Sequence, residues 1–216
     1  MRRDRTAVIA SVLVVALALA GPAFGVKRVK FKAKPFVFDP GATGIVSAKW
    51  VTHQGLGDAG KSDHALVLKK LGATTAFASA GARIHKVTLK HPVILTELGF
   101  DVQDGTHCGA GAPRFNVTLT DGSLFFLGCN HGDMTSAGTD SQGDTWTQVR
   151  FTDADVFYGS GPTTTWPGFG TAEASALHVL FDEGTDTAGV TGAGMVVMDN
   201  IDVNTKIMGK PGSSKN

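Results

Sequence analysis

The chain has two cysteines, Cys108 and Cys129, each with a histidine close by, at His107 and His131. That set offers a disulfide or a Cys₂His₂ zinc site. The spacing favours the disulfide. His107 and Cys108 are adjacent, so on an extended chain they point to opposite faces and do not share a metal. Asp121-Gly122 is a tight-turn signal, and a hairpin closed there brings Cys129 opposite about Arg114. The glycine-rich stretch 109–113 can then fold Cys108 back to meet it. Closing a loop of that size stabilises a fold by about 3 kcal/mol in the chain-entropy description.

Other residues could act on a ligand. Thr163-Thr164-Thr165-Trp166-Pro167-Gly168-Phe169-Gly170 puts two aromatics in a loop whose Pro and Gly forbid a regular strand. An exposed indole stacks on the apolar face of a pyranose while neighbouring polar groups bond its hydroxyls; the alternative is that Trp166 and Phe169 fold back as a plug. His53, Asp58, Asp63 and His64 share one glycine-rich loop, and Asp182, Glu183 and Asp186 share another. The second group contains the carboxylates a glycoside hydrolase would need; solvated loop charge is the preferred account of both groups. The chain has no His-Glu-x-x-His, no Gly-x-Ser-x-Gly elbow and no phosphate-cradling Gly-x-x-x-x-Gly-Lys.

The elements that must position these residues begin after an export signal. Arg2, Arg3 and Arg5 precede the apolar run from Ala7 to Ala20, which small residues and Pro22 then close. That is the layout of a secretory signal peptide, residues 1–23, and too short for a span of about 20 apolar residues. The expected location is therefore secreted or envelope-associated. Without residues 1–23 the chain has 17 basic and 18 acidic side chains, a net charge of −1. This balance gives no general attraction to nucleic acid or anionic lipid, and no stable membrane span is expected after cleavage. Residues 24–209 are long enough for one self-sufficient core, with 210–216 as a polar tail.

Period-two alternation dominates that domain. Phe115, Val117 and Leu119 alternate with polar neighbours, and the Asp121-Gly122 turn leads into Leu124–Leu127. Further strands are expected over 30–38, 45–51, 65–70, 84–90, 94–102, 146–151, 176–182 and 194–207. Ile94, Leu98, Phe100 and Val102 should share one face, as should Leu177, Val179 and Phe181. Thr74 to Ala82 reads as irregular or one helical turn, and Trp50 and Trp146 read as core. Strands separated by Gly, Asp, Thr and Pro clusters indicate an all-β sandwich of jelly-roll type.

Phe38-Asp39-Pro40-Gly41 followed by Trp50, and the closing Met198-Asp199-Asn200-Ile201-Asp202-Val203, resemble the first and last strands of jelly-roll carbohydrate-binding modules. The segment from Cys108 to Val117, with Gly128-Cys129-Asn130, resembles a group of uncharacterised secreted bacterial proteins. The module resemblance implies carbohydrate as partner and a structural calcium ion shared between the chain ends, held by Asp39 and Asp199, with Asn200 or Asp202 contributing. Strict alternation places Asp199 with Ile201 and Val203 on one face, where a buried carboxylate needs a cation, a proton or backbone amides. The alternative is that Asp199 bonds amides and Asp39 caps its own turn. The reading is a secreted, non-catalytic domain with Trp166 and Phe169 as ligand contacts; its rivals are a structural or protein-interaction domain and a secreted glycoside hydrolase.

Overall fold

The computed structural model describes residues 30–57, 63–75, 77–156, 158–182, 194–210 and 213–215. The expected signal segment, Asp58, Glu183 and Asp186 lie outside the described residues. Two antiparallel sheets pack face to face as a β-sandwich. The first runs in the order β1 (Lys32–Phe38), β4 (Ser79–His85), β12 (Glu173–Phe181), β7 (Arg114–Leu119), β8 (Leu124–Gly128), β11 (Tyr158–Ser160), with the short β5 (Val93–Ile94) also on β12. The second runs β15 (Ser213–Lys215), β14 (Lys206–Lys210), β13 (Met195–Val203), β6 (Leu98–Gln103), β10 (Thr145–Phe151), β9 (Asp133–Thr139). In that sheet β2 (Val46–Thr52) pairs with β3 (His64–Lys70), and β3 pairs with β13. Part of the expected polar tail is thus strand β15, on β14.

Alternation builds the core between the sheets. Phe115, Val117 and Leu119 of β7 face Leu177, Val179 and Phe181 of β12 and Phe125 and Leu127 of β8, all buried. Phe100 of β6 and Phe151 of β10 cross to meet Phe115, with ring centroids 5.5–5.7 Å apart. Each such aromatic pair adds about 0.5–1.5 kcal/mol beyond the area it buries.

Three expected boundaries move, for identifiable reasons. The strand expected over 94–102 is two strands in different sheets, so Ile94 is exposed while Leu98, Phe100 and Val102 are buried. Between them the Asn204 side chain accepts from Thr96 N (2.8 Å) and donates to Ile94 O (2.7 Å), holding the crossing. The strand expected over 194–207 folds back at Asn204 and Thr205, both at positive φ (54° and 62°), as a two-residue hairpin demands. The strand expected over 84–90 instead occupies Ser79–His85, because Ala80, Ala82 and Ile84 supply the buried face. β9 and β11 have no apolar alternation and were not expected; β9 is held by its ladder to β10.

Candidate functional site

A cleft of about 700 Å³ lies over the outward face of the first sheet, lined by Lys70, Phe77, Arg114, Phe126, Tyr158 and Asp182 among others. Arg114 opens β7 and alternates outward from buried Phe115. Its guanidinium forks onto Asp182, just past β12, with Nη1 to Oδ1 and Nη2 to Oδ2 both 2.7 Å. Nε donates to Asn116 Oδ1 (2.9 Å) and Nη1 also to Gly111 O (2.5 Å). Four of the five guanidinium N–H groups are thereby engaged. The fork fixes the plane of the guanidinium, which lies over the Phe126 ring at 5.1 Å. On the other side of β8, Tyr158 pairs with Phe126 and stacks on it, with centroids 5.6 Å apart and planes within 10°. Phe126 is thus covered on both faces, leaving the outer face of Tyr158, which is 55% exposed, and Phe77, which is 85% exposed. Lys70 Nζ reaches under the cleft to Asp182 O (2.5 Å).

The disulfide braces one wall. Cys108 and Cys129 are bonded, with Cα atoms 5.3 Å apart. Arg114 pairs with Gly128, one residue short of the expected partner, and Cys129 N donates to Pro113 O (2.9 Å). The loop from Gly109 to Ala112 then lies directly over Gly128. A Cβ there would stand 1.7 Å from Ala110 O, so no other residue fits. The zinc alternative is displaced by the bond; His107 packs edge-on against Phe181 (5.5 Å).

Trp166 and Phe169 lie elsewhere, at one end of the sandwich. Both are half-buried. Trp166 meets Phe125 edge to face at 5.2 Å and Phe169 at 5.4 Å, and its Nε1 donates to Asp153 Oδ1 (3.1 Å). The same oxygen accepts Phe169 N at 2.6 Å, so one carboxylate ties both aromatics down. Trp146 is buried, with Nε1 on Asp140 Oδ2 (3.0 Å), and half-buried Trp50 donates to Ala33 O (3.1 Å).

The expected calcium carboxylates are placed separately. Asp39 accepts Thr43 N (3.0 Å), Gly44 N (2.7 Å) and Thr43 Oγ1 (2.8 Å), closing its own turn. The amide of Thr43, then that of Gly44, holds its carboxyl below the usual range. Asp199 is fully buried, and it accepts Leu56 N (2.9 Å) and Asn200 N (2.6 Å). The alternation expected for β13 breaks at Asn200, whose φ is +48°. There the ladder to β6 gains one residue, with Asp199 opposite Asp101 but Asp202 opposite Gly99. This β-bulge puts Asp199 on the outward face while Ile201 and Val203 remain in the core. Asp202 is outward and buried as well, with no hydrogen-bond partner for Oδ1. Burial, then the charge of Glu97, pushes its carboxyl up to about 6, with Arg150 pulling the other way. Arg150 lies flat across Gly99 within 3.4–3.8 Å of Asp101, Glu97 and Asp202. Among the described residues no group of three or more His, Cys, Asp or Glu is arranged to hold a metal ion.

No protein-family model, no curated protein and no solved structure matches the chain. Of the cleft residues the sequence singles out Asp182, as a candidate hydrolase carboxylate; a signal for the others was also present, since Arg114, Asn116 and Phe126 fall on the outward phase of the 114–127 hairpin and the chain's single tyrosine is Tyr158.

Proposed function

We propose that this chain is an exported, non-catalytic carbohydrate-binding domain of the jelly-roll kind that the resemblance implies, and that it takes a glycan in the cleft over the first sheet. The observation that carries the reading is the Arg114–Phe126–Tyr158 stack beside the Arg114–Asp182 fork. Sugar recognition needs an aromatic face for the ring's C–H surface and fixed polar groups for its hydroxyls. The outer face of Tyr158, preorganised by the rings behind it, serves the first need. The remaining Nη2 N–H of Arg114 and the carboxylate lone pairs of Asp182 serve the second. The disulfide is compatible with life outside the cytoplasm. Among the described residues no helix is long and apolar enough to cross a membrane.

A hydrolase reading has less support, since both oxygens of Asp182 are engaged by Arg114. The test is a glycan array with the purified protein beside Tyr158→Ala. Retention should weaken by about 1–3 kcal/mol, by analogy with a nucleobase stacked on an aromatic side chain, with melting nearly unchanged. Retention that survives Tyr158→Ala, or a wild type that retains no glycan, overturns the reading.

A further inference from the structure

The cleft occupies one end of a longer pattern. Strand register sets Lys34 opposite Arg83, Arg83 opposite His178, His178 opposite Asn116, Asn116 opposite Phe126, and Phe126 opposite Tyr158. Residues directly opposite in antiparallel strands share a face. These six form one row across the whole sheet, about 24 Å long at about 4.8 Å per strand step. One end is aromatic and lies in the cleft.

The other end is basic. Lys32, Lys34, Arg83, His85, Lys86 and Lys90 are all exposed, and none joins the ion pairs among the described residues. The sequence supplies no acid to oppose them: there is no Asp or Glu from Lys30 to Phe38, and none from His64 to Thr96. The balanced total charge hides this segregation. In the middle of the row, Arg83 Nε donates to His178 Nε2 (3.3 Å). Burial, then the Arg83 charge, holds His178 below its usual value, so it is a neutral acceptor that fixes Arg83 in the plane of the row. Phe36 meets the same imidazole edge-on at 5.8 Å and lies over Gly81, where a Cβ would stand 2.9 Å from its ring. The face thereby stays flat enough for an extended chain to lie across it.

We infer that the row binds an acidic glycan, a polysaccharide bearing carboxylates, with sugar rings at the Tyr158 end and acid groups at the Lys34–Arg83 end. The inference rests on the reading of the cleft as a glycan site. Charge complementarity selects an anionic partner. A sugar polymer fits better than a lipid surface because Lys34 and Arg83 lie within the sheet face and continue the aromatic row.

The experiment measures binding of a panel of polyuronates, polygalacturonate and alginate among them, beside their methyl-esterified, uncharged forms. Wild type should prefer an acidic form over its ester by about tenfold at low salt, and the preference should shrink as salt screens it. Lys34→Gln/Arg83→Gln should abolish the preference and leave ester binding intact. Tyr158→Ala should weaken both. Equal binding of acid and ester, lost in Tyr158→Ala, overturns the basic row and leaves the cleft reading standing. Failure to bind any glycan, acidic or neutral, overturns both. Anionic phosphatidylglycerol vesicles or duplex DNA bound as tightly, and indifferent to Tyr158→Ala, would make the basic end a surface for something other than sugar.

Discussion

On the outward face of the second sheet, Asp101, Asp199 and Asp202 are buried under loops and beneath Arg150. On the outward face of the first, Lys34, Arg83 and Tyr158 stand open. Both faces place charged groups on strand positions that point away from the core. The second sheet answers its charges internally, with a guanidinium, an asparagine amide and backbone N–H groups. The first answers Arg114 with Asp182 but leaves Lys34 and Arg83 outside the ion pairs among the described residues. Burying a charge is costly unless it is paired, so the acid-rich face depends on its internal partners, and the basic and aromatic face is the one proposed to bind.

The sharpest way to break this contrast is Arg150→Met. Loss of the shared cation leaves buried carboxylates uncompensated, at about 3–5 kcal/mol, or a melting temperature lower by about 10 °C. Arg83→Gln on the open face should move stability by no more than about 0.5 kcal/mol. Similar melting curves for the two variants would erase the distinction.

The disulfide tests whether the open face depends on a braced wall. Cys108→Ser/Cys129→Ser should cost about 3 kcal/mol in urea unfolding and weaken glycan retention, because the loop over Gly128 carries the Gly111 carbonyl that holds Arg114. Intact retention would detach the cleft from its brace.

Within the aromatic residues the contrast predicts opposite phenotypes. Trp166→Ala removes a half-buried ring wedged between Phe125 and Phe169 and should cost about 2 kcal/mol of stability with little effect on ligand. Tyr158→Ala should do the reverse. A Trp166→Ala protein that melts normally and loses glycan would move the site to the sandwich end.

The pH profile sharpens the other side. The folded Asp202 value of about 6 lies above the ordinary 3.8, so the folded state holds that proton more tightly. The stability linked to that proton is fully present below about pH 4 and is lost as pH rises through 6, a difference of up to roughly 3 kcal/mol. Asp202→Asn should therefore flatten the profile over that window and stabilise the protein at pH 8 by about 1–2 kcal/mol. Asp39 and Asp121 pull oppositely: backbone amides hold both below the ordinary value, and their stabilisation is lost on stronger acidification. An unchanged profile would show that Asp202 is not the titrating group. The smallest expected effect is that of calcium against chelator, where the protein's own donors to Asp39 and Asp199 predict coincident melting curves; a shift of several degrees would assign a cation to these carboxylates.

The sandwich was legible because Phe115, Val117, Leu119 and Leu177, Val179, Phe181 alternate without interruption, and the two cysteines because a single tight turn sets their approach. Ile94 misled because the crossing between sheets is held by Asn204, more than a hundred residues away in sequence. The cleft was not legible for a similar reason. Arg114, Phe126, Tyr158 and Asp182 come from four segments, and only their register makes them neighbours.

Asn200 also bears on how this chain tolerates change. A strand is read two letters at a time, and Asn200 works as a one-letter insertion that resets the frame between Met198 and Ile201. Deleting it would make Asp199 and Ile201 neighbours on opposite faces, so Asp199 would stay outward and Met198, Ile201 and Val203 inward with no bulge, at the cost of the amide that Asn200 donates to Asp101. A homologue lacking that letter can therefore keep the residue types at 197–199 unchanged, whereas one that keeps the letter but loses the bulge must exchange acidic and apolar residues there.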